Sequence, residues 1–195
     1  MPTQPAARRR RDPQRRIAEI ADATERVIAA RGIEGLTHRA VAEEAGVPLG
    51  ATTYHFATKD DLIQVALQRA YDRYAAMLEE WVAQRPDLTP EQHIVLLTDA
   101  LMSCFGPNRD YQVVELELYL AALRRPALRP IVDQYAQATT NALLPYTDPS
   151  TARAAVVAMN GLTMSGLAGT HPPTRTEVED TLRRILTPNP ALPSP

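Results

Sequence analysis

Residues 36–62 read LTHRAVAEEAGVPLGATTYHFATKDDL, and this stretch decides the fold. Thr37 carries an N-cap side chain, and Val41, Ala42 and Ala45 recur as the buried side of a short helix. Ala45-Gly46-Val47 forms a tight turn, with Gly46 able to take the left-handed conformation that stops a helix. Pro48 opens a second short helix, where its missing N–H costs nothing. A longer helix starts near Thr58. Two short helices around such a turn are a helix-turn-helix, whose second helix enters the DNA major groove.

The side chains suit that task. Arg39 can fork onto guanine O6 and N7, or pair with Glu43 one turn on. Leu49, Gly50, Ala51, Thr52 and Thr53 form a small base-reading surface, and their methyl groups can touch a thymine methyl. Thr37, Tyr54, His55 and Lys59 are polar groups of the kind that bond phosphate oxygens. His38 is counted with this DNA-contacting set. Tyr54 and His55 can instead pack between helices, and Phe56 reads as a core plug.

At these residues the chain resembles the TetR family of one-component transcriptional regulators. The resemblance rests on Thr37, Arg39, Ala45, Gly46, Val47, Gly50, Tyr54, His55, Phe56, Lys59 and Leu62 at fixed spacing, within residues 15–65. One departure is Thr53, where the family commonly carries Tyr. The resemblance implies a homodimer on a pseudo-palindromic operator, a helical body holding a small-molecule effector, and most often repression.

Ahead of the motif lies a basic arm. Residues 1–16 hold Arg8, Arg9, Arg10, Arg11, Arg15 and Arg16 against Asp12, while the whole chain carries a formal charge of −2. Such an arm gains affinity by releasing counterions from DNA. No apolar run follows it, so it is not a signal peptide. No window reaches the length of a membrane span, and no membrane partner is expected. Cys104 is the one cysteine, which excludes an internal disulfide and fits a cytoplasmic protein. The four histidines have no paired zinc spacing, so neither a metal site nor a cofactor is expected.

The remainder reads as helices throughout. One spans about 13–31, with Ile17, Ile20, Ala21, Thr24, Val27 and Ile28 at helical spacing and Gly32 after it. The long helix from Thr58 reaches about Gln84, and Pro86 breaks it. Thr89 to Gln92 is a capping box opening a helix over 90–105. Further helices are expected at 109–124, 127–144, 149–169 and 174–186. VVELELYLAAL within the first of these also alternates like a strand, yet its Leu, Ala and Glu favour helix. The predicted fold class is all-α, with a disordered basic arm at 1–12, a three-helix DNA-binding domain at 13–60, a helical ligand-binding and dimerisation domain at 61–187, and a disordered tail at 188–195.

Within that body, Trp81, Met102, Phe105, Glu115, Tyr119, Tyr135 and Met159 are candidate effector contacts, each of which can equally be core. Glu115 and Glu117 lie in a helix apolar on nearly every side, so at least one is expected to be buried and to need a partner, an Arg or a ligand donor. Few aromatic residues point to a small, mostly apolar effector. The family resemblance implies a four-helix dimer contact from the last two helices, for which Ala155, Leu162, Leu182 and Ile185 are candidates. Small residues along 149–169 permit close helix approach.

Three classes remain. The first is a ligand-responsive DNA-binding regulator, the reading the motif favours. The second is a helix-turn-helix protein whose body serves only as a protein–protein module. The third is an all-helical enzyme, disfavoured because no nucleophile elbow, phosphate loop or paired metal ligands occur.

Overall fold

The computed structural model describes residues 13–84 and 88–187. The arm at 1–12, the break at Pro86 and the tail at 188–195 lie outside the described residues. All regular structure among the described residues is helical: α1 Pro13–Arg31, α2 His38–Ala45, α3 Leu49–His55, α4 Lys59–Ala83, α5 Pro90–Ser103, α6 Arg109–Ala121, α7 Arg129–Leu143, α8 Pro149–Ala168 and α9 Arg175–Leu186. A short 3-10 turn, Pro126–Leu128, leads into α7. The segment that alternates like a strand is therefore the helix α6, as its helix-forming residues require.

The expected boundaries hold where a cap marks them. Thr37 Oγ1 accepts from the Ala40 amide at 3.1 Å, and Gly46 ends α2 at φ +64°. Thr58 and Asp61 cap each other reciprocally, Thr58 Oγ1 accepting from Asp61 N at 3.1 Å and Asp61 Oδ2 accepting from Thr58 N at 2.8 Å. Thr89 with Gln92, and Thr174 with Glu177, form the two capping boxes of α5 and α9. Ends without a cap stop earlier than periodicity suggests, α5 at Ser103 and α6 at Ala121.

The chain forms two compact units that divide within α4, after Ala66. In the first, α1 packs on α2 and α2 on α3. Ile20, Ile28, Leu36 and Val41 are fully buried there, as are Leu62, Ile63 and Ala66 of the first turns of α4. The expected boundary at residue 60 thus falls short of these apolar turns. Arg26 and Glu44 add an exposed ion pair between α1 and α2, worth little in water.

In the second unit, one core cluster joins Ile94, Leu97 and Leu101 of α5, Leu143 of α7, Ala152, Ala155 and Val156 of α8, and Val178 and Leu182 of α9. The alanines let α8 approach its neighbours closely while the branched side chains fill the space between. Gly166 serves the same end. A Cβ there would stand 2.5 Å from Phe105 Cε1, so the aromatic ring lies against bare backbone.

Candidate functional site

The first unit presents α3 outward. Leu49 is 45% and Tyr54 84% exposed, unusual for large apolar and aromatic side chains on a helix of seven residues. Gly50 and Thr53 are exposed between them. A Cβ at Gly50 would meet nothing, so packing within this chain does not demand glycine, and the backbone there is bare to an approaching partner. Thr53 turns its hydroxyl back toward the carbonyls of Leu49 and Gly50, at 3.4 Å each, which leaves its methyl group for outside contact. Ala51 is half-buried beside them.

A concavity of about 400 Å³ adjoins this helix, lined by Pro13, Arg16, Pro48, Ala51, Tyr54 and His55. A guanidinium, a phenol and an imidazole around one hollow are the groups that hold a phosphate. His55 stands edge-on to Tyr54, ring centroids 5.0 Å apart, and is half-buried rather than a core histidine. Arg39 is exposed and forms no ion pair with Glu43 among the described residues. Thr37 is exposed at the N-cap of α2, and Lys59 opens α4.

Two members of the expected contact set are placed otherwise. Thr52 is fully buried, and its hydroxyl donates to the Leu49 carbonyl at 2.8 Å and faces the His38 carbonyl at 3.5 Å. It fastens α3 to α2 instead of reading bases. His38 keeps both ring nitrogens buried and without a hydrogen-bond partner, so it cannot offer them to DNA in this conformation. Both corrections have one cause: on so short a helix one residue in three or four must face the domain core.

The second unit holds a polar and aromatic cluster around Tyr135. Its ring stacks on Tyr74 at 5.2 Å and meets Tyr71 and Tyr119 edge-on at 5.3 Å and 6.5 Å. Thr139 Oγ1 donates to the Tyr135 carbonyl at 2.9 Å, so the Tyr74 hydroxyl, 2.7 Å away, donates to Thr139. Burial raises the Tyr74 phenol to about 12. Beside this cluster Glu115 is only 8% exposed. Its Oε2 accepts from Gln112 Nε2 at 3.0 Å, and Gln112 Oε1 in turn accepts from the Cys104 thiol at 3.3 Å. Glu115 Oε1 has no partner, and neither has the Tyr135 hydroxyl. The two interact electrostatically without meeting hydrogen-bond geometry. Burial pushes the Glu115 carboxyl above the usual carboxylate range, the Tyr135 and Gln112 hydrogen-bonding groups opposing it. Arg73 acts electrostatically on Glu115, favouring its charged form, and its guanidinium lies over the Tyr111 ring, 5.4 Å from the centroid.

The predicted effector residues therefore separate. Glu115, Tyr119 and Tyr135 share the tyrosine cluster, whereas Trp81, Met102 and Met159 pack against the core of α5, α8 and α9. Phe105 seats on Gly166.

Comparison with known proteins decides the family. Residues 20–66 match the model of bacterial regulatory proteins of the tetR family, and residues 88–188 match the tetracyclin repressor-like C-terminal domain. The chain belongs to the TetR family. It is 32% identical over 110 residues to the HTH-type transcriptional regulator PksA of Bacillus subtilis (strain 168), covering 56% of this chain and 51% of that one, so the match spans about half the length of this curated relative. The multidrug binding protein EbrR, in a crystal structure with imidazole, is 40% identical with a TM-score of 0.78, covering 98% of this chain and 100% of EbrR. EbrR has also been crystallised with ethidium, proflavin and malachite green. A TetR family member from Streptomyces coelicolor A3, SCO1917, is 40% identical with a TM-score of 0.74, covering 88% and 98%.

As a TetR family protein, the chain is a DNA-binding transcriptional regulator and not an enzyme. No helix among its described residues is long and apolar enough to cross a membrane. The family's helix-turn-helix is α2 and α3. Two of the dimer candidates need correction. Ala155 and Leu182 are fully buried inside the single chain and cannot also touch a second one. Leu162 and Ile185 are half-buried against the same core. The outer face of α8 lies elsewhere, at Val157, 72% exposed, and Met164, 47% exposed, with Gly161 exposed between them. The tyrosine cluster also contains Tyr71, Tyr74 and Gln112, which the sequence pattern alone does not single out. The available signal was spacing: Tyr71 with Tyr74, and Gln112 with Glu115, are three apart and share a helix face.

Proposed function

We propose that this TetR family regulator is a cytoplasmic repressor that binds a pseudo-palindromic operator as a homodimer and is released by a flat or globular aromatic cation. The observation that carries the effector class is the buried Glu115 beside four tyrosines, in a chain 40–42% identical to a protein crystallised with ethidium, proflavin and malachite green. Those three dyes are aromatic cations. Tyrosine faces attract a positive charge, and a carboxylate completes the recognition. A mostly apolar effector thus gains a charge at its polar end.

The dimer is supported by the α8 stripe of Val157, Gly161 and Met164, spaced for one helix face, with exposed apolar area that a second copy can cover. In each head, Arg39 and the α3 surface of Leu49, Gly50, Ala51 and Thr53 read bases, while Thr37, Tyr54, His55 and Lys59 hold phosphates. A twofold protein with one such head per chain demands an inverted repeat.

Selection of bound duplexes from a random DNA pool tests this directly. An inverted repeat should emerge, bound by two chains, and tetraphenylphosphonium should release it. This cation is too bulky to intercalate, so release reports on the protein. Recovery of sites without twofold symmetry, or tight operator binding at saturating cation, would overturn the proposal.

A further inference from the structure

We infer that α3 recognises the 5-methyl group of a pyrimidine, and that the γ-methyl of Thr53 is the specificity-determining contact. On this account the helix reads thymine by its methyl group and not by a pattern of hydrogen bonds. The inference rests on the reading above that α3 meets base edges in the major groove of an operator.

Leu49, Gly50, Thr53 and Tyr54 lie along one side of α3, and all four are exposed. The first three offer a base almost no side-chain hydrogen bonding. Leu49 is aliphatic. Gly50 has no side chain, and a Cβ there would meet nothing, so the backbone is open to close approach. Thr53 has its hydroxyl 3.4 Å from the carbonyls of both Leu49 and Gly50, the usual resting place of a helical threonine hydroxyl on the preceding turn. With the hydroxyl turned along the backbone, the γ-methyl is what remains for a partner. Tyr54 carries a polar atom, but its ring borders the hollow shared with Arg16 and His55, whose groups suit a phosphate. Thr52 adds nothing outward, because its hydroxyl is sealed beneath the helix on the Leu49 carbonyl.

Base edges answer such a surface differently. Guanine and adenine present N7 with O6 or N6, and cytosine presents its amino group. Covering these with Leu49 and Thr53 strips water from polar groups without replacing their hydrogen bonds, which is unfavourable. Thymine places a methyl group in the groove, and apolar contact there excludes water favourably from both partners. One contact therefore selects thymine and rejects the other three bases. 5-Methylcytosine carries the same methyl group at the same place. The helix should accordingly distinguish methylated from unmethylated cytosine at this position. Hydrogen-bond readout is left to Arg39 of α2.

The test uses the full chain and the operator selected from random DNA, with deoxyuridine replacing each thymidine of the half-site in turn. That exchange removes one methyl group and leaves base pairing intact. The position facing Thr53 should lose about fourfold in affinity per half-site, the worth of one methyl group kept from water. Thr53→Ser removes the γ-methyl and keeps the hydroxyl, and should bind thymidine and deoxyuridine equally there. Thr53→Val keeps a methyl and removes the hydroxyl, and should retain the preference. Circular dichroism first establishes that both variants are folded. With wild type, 5-methylcytosine opposite guanine at that position should bind about fourfold more tightly than cytosine opposite guanine. With Thr53→Ser the two should bind alike. A half-site in which no deoxyuridine lowers affinity overturns the inference and leaves the operator reading standing. Discrimination kept in full by Thr53→Ser, or lost in Thr53→Val, overturns the assignment to the Thr53 methyl. A selection that yields no operator overturns both.

Discussion

The two units of this molecule keep their chemistry differently, one exposed to solvent and the other buried. In the head, Leu49, Thr53, Tyr54 and Arg39 stand exposed on short helices whose apolar sides are buried. In the body, Glu115, Tyr135 and His93 are buried, each with a polar atom lacking a partner. A head that reads a large, rigid, charged partner needs side chains already in water, where charge is cheap to hold. A body that reads a small molecule keeps polar atoms unsatisfied until the ligand satisfies them. Mutations should therefore act in different currencies: affinity with little change of stability in the head, and stability together with effector response in the body.

The largest effect should come where a buried core residue had been assigned to an interface. Leu182→Glu places a charge in the core of α5, α8 and α9 and should cost about 4 kcal/mol or more, abolishing cooperative thermal unfolding. Val157→Glu, on the exposed face of α8, should leave the helical signal intact and shift sedimentation to a monomer. A folded Leu182→Glu chain that sediments as a monomer would return Leu182 to the interface and break the assignment.

Acid sensitivity of the body should be next. His93 is enclosed by the rings of Trp81 and Tyr146, at 5.1 Å and 4.0 Å, and burial lowers it from 6.5 to about 4. A depressed folded value means the neutral form is the stable one. Its contribution is complete above about 6.5 and is lost as pH falls toward about 4, by about 3 kcal/mol at most. His93→Gln should flatten the decline of melting temperature across that window. An unchanged decline would assign acid sensitivity to other groups.

In the head, Arg39→Ala should weaken the selected operator by about 1–3 kcal/mol per half-site and random DNA much less, as expected for guanine readout. Equal losses on both DNAs would make Arg39 a phosphate contact. Smaller still, Tyr54→Phe should cost about 0.5–1.5 kcal/mol on both DNAs alike, with the melting temperature unchanged, since one phosphate hydrogen bond is lost from an exposed side chain. A destabilised Tyr54→Phe chain would show that the hydroxyl serves the fold.

The head was far more legible in the sequence than the body, for physical reasons. Thr37, Gly46 and Pro48 are local signals, each acting through its own backbone, so their meaning survives without knowledge of neighbours. The capping boxes at Thr89 and Thr174 are local in the same way, and the helices they open begin where expected. Burial is not local. Thr52 and Thr53 are adjacent and chemically identical, yet one is sealed against α2 and the other faces outward. Leu182 of α9 and Val157 of α8 are both aliphatic, yet one is sealed in the core and the other faces outward. Glu115 stood out because a carboxylate in an apolar helix is anomalous in itself. Its tyrosine neighbours come from α4, α6 and α7, and only the fold brings them together.

The central claim is that the buried cluster of the body and the exposed helix of the head are energetically coupled through a cation. Calorimetry of tetraphenylphosphonium binding, with and without saturating selected operator, tests it most directly. Linkage requires operator to weaken cation binding by the same factor that cation weakens operator binding, about five- to 150-fold for typical couplings. That equality, lost in Glu115→Gln, is the expected result. Cation affinity identical in the presence and absence of operator would contradict the claim.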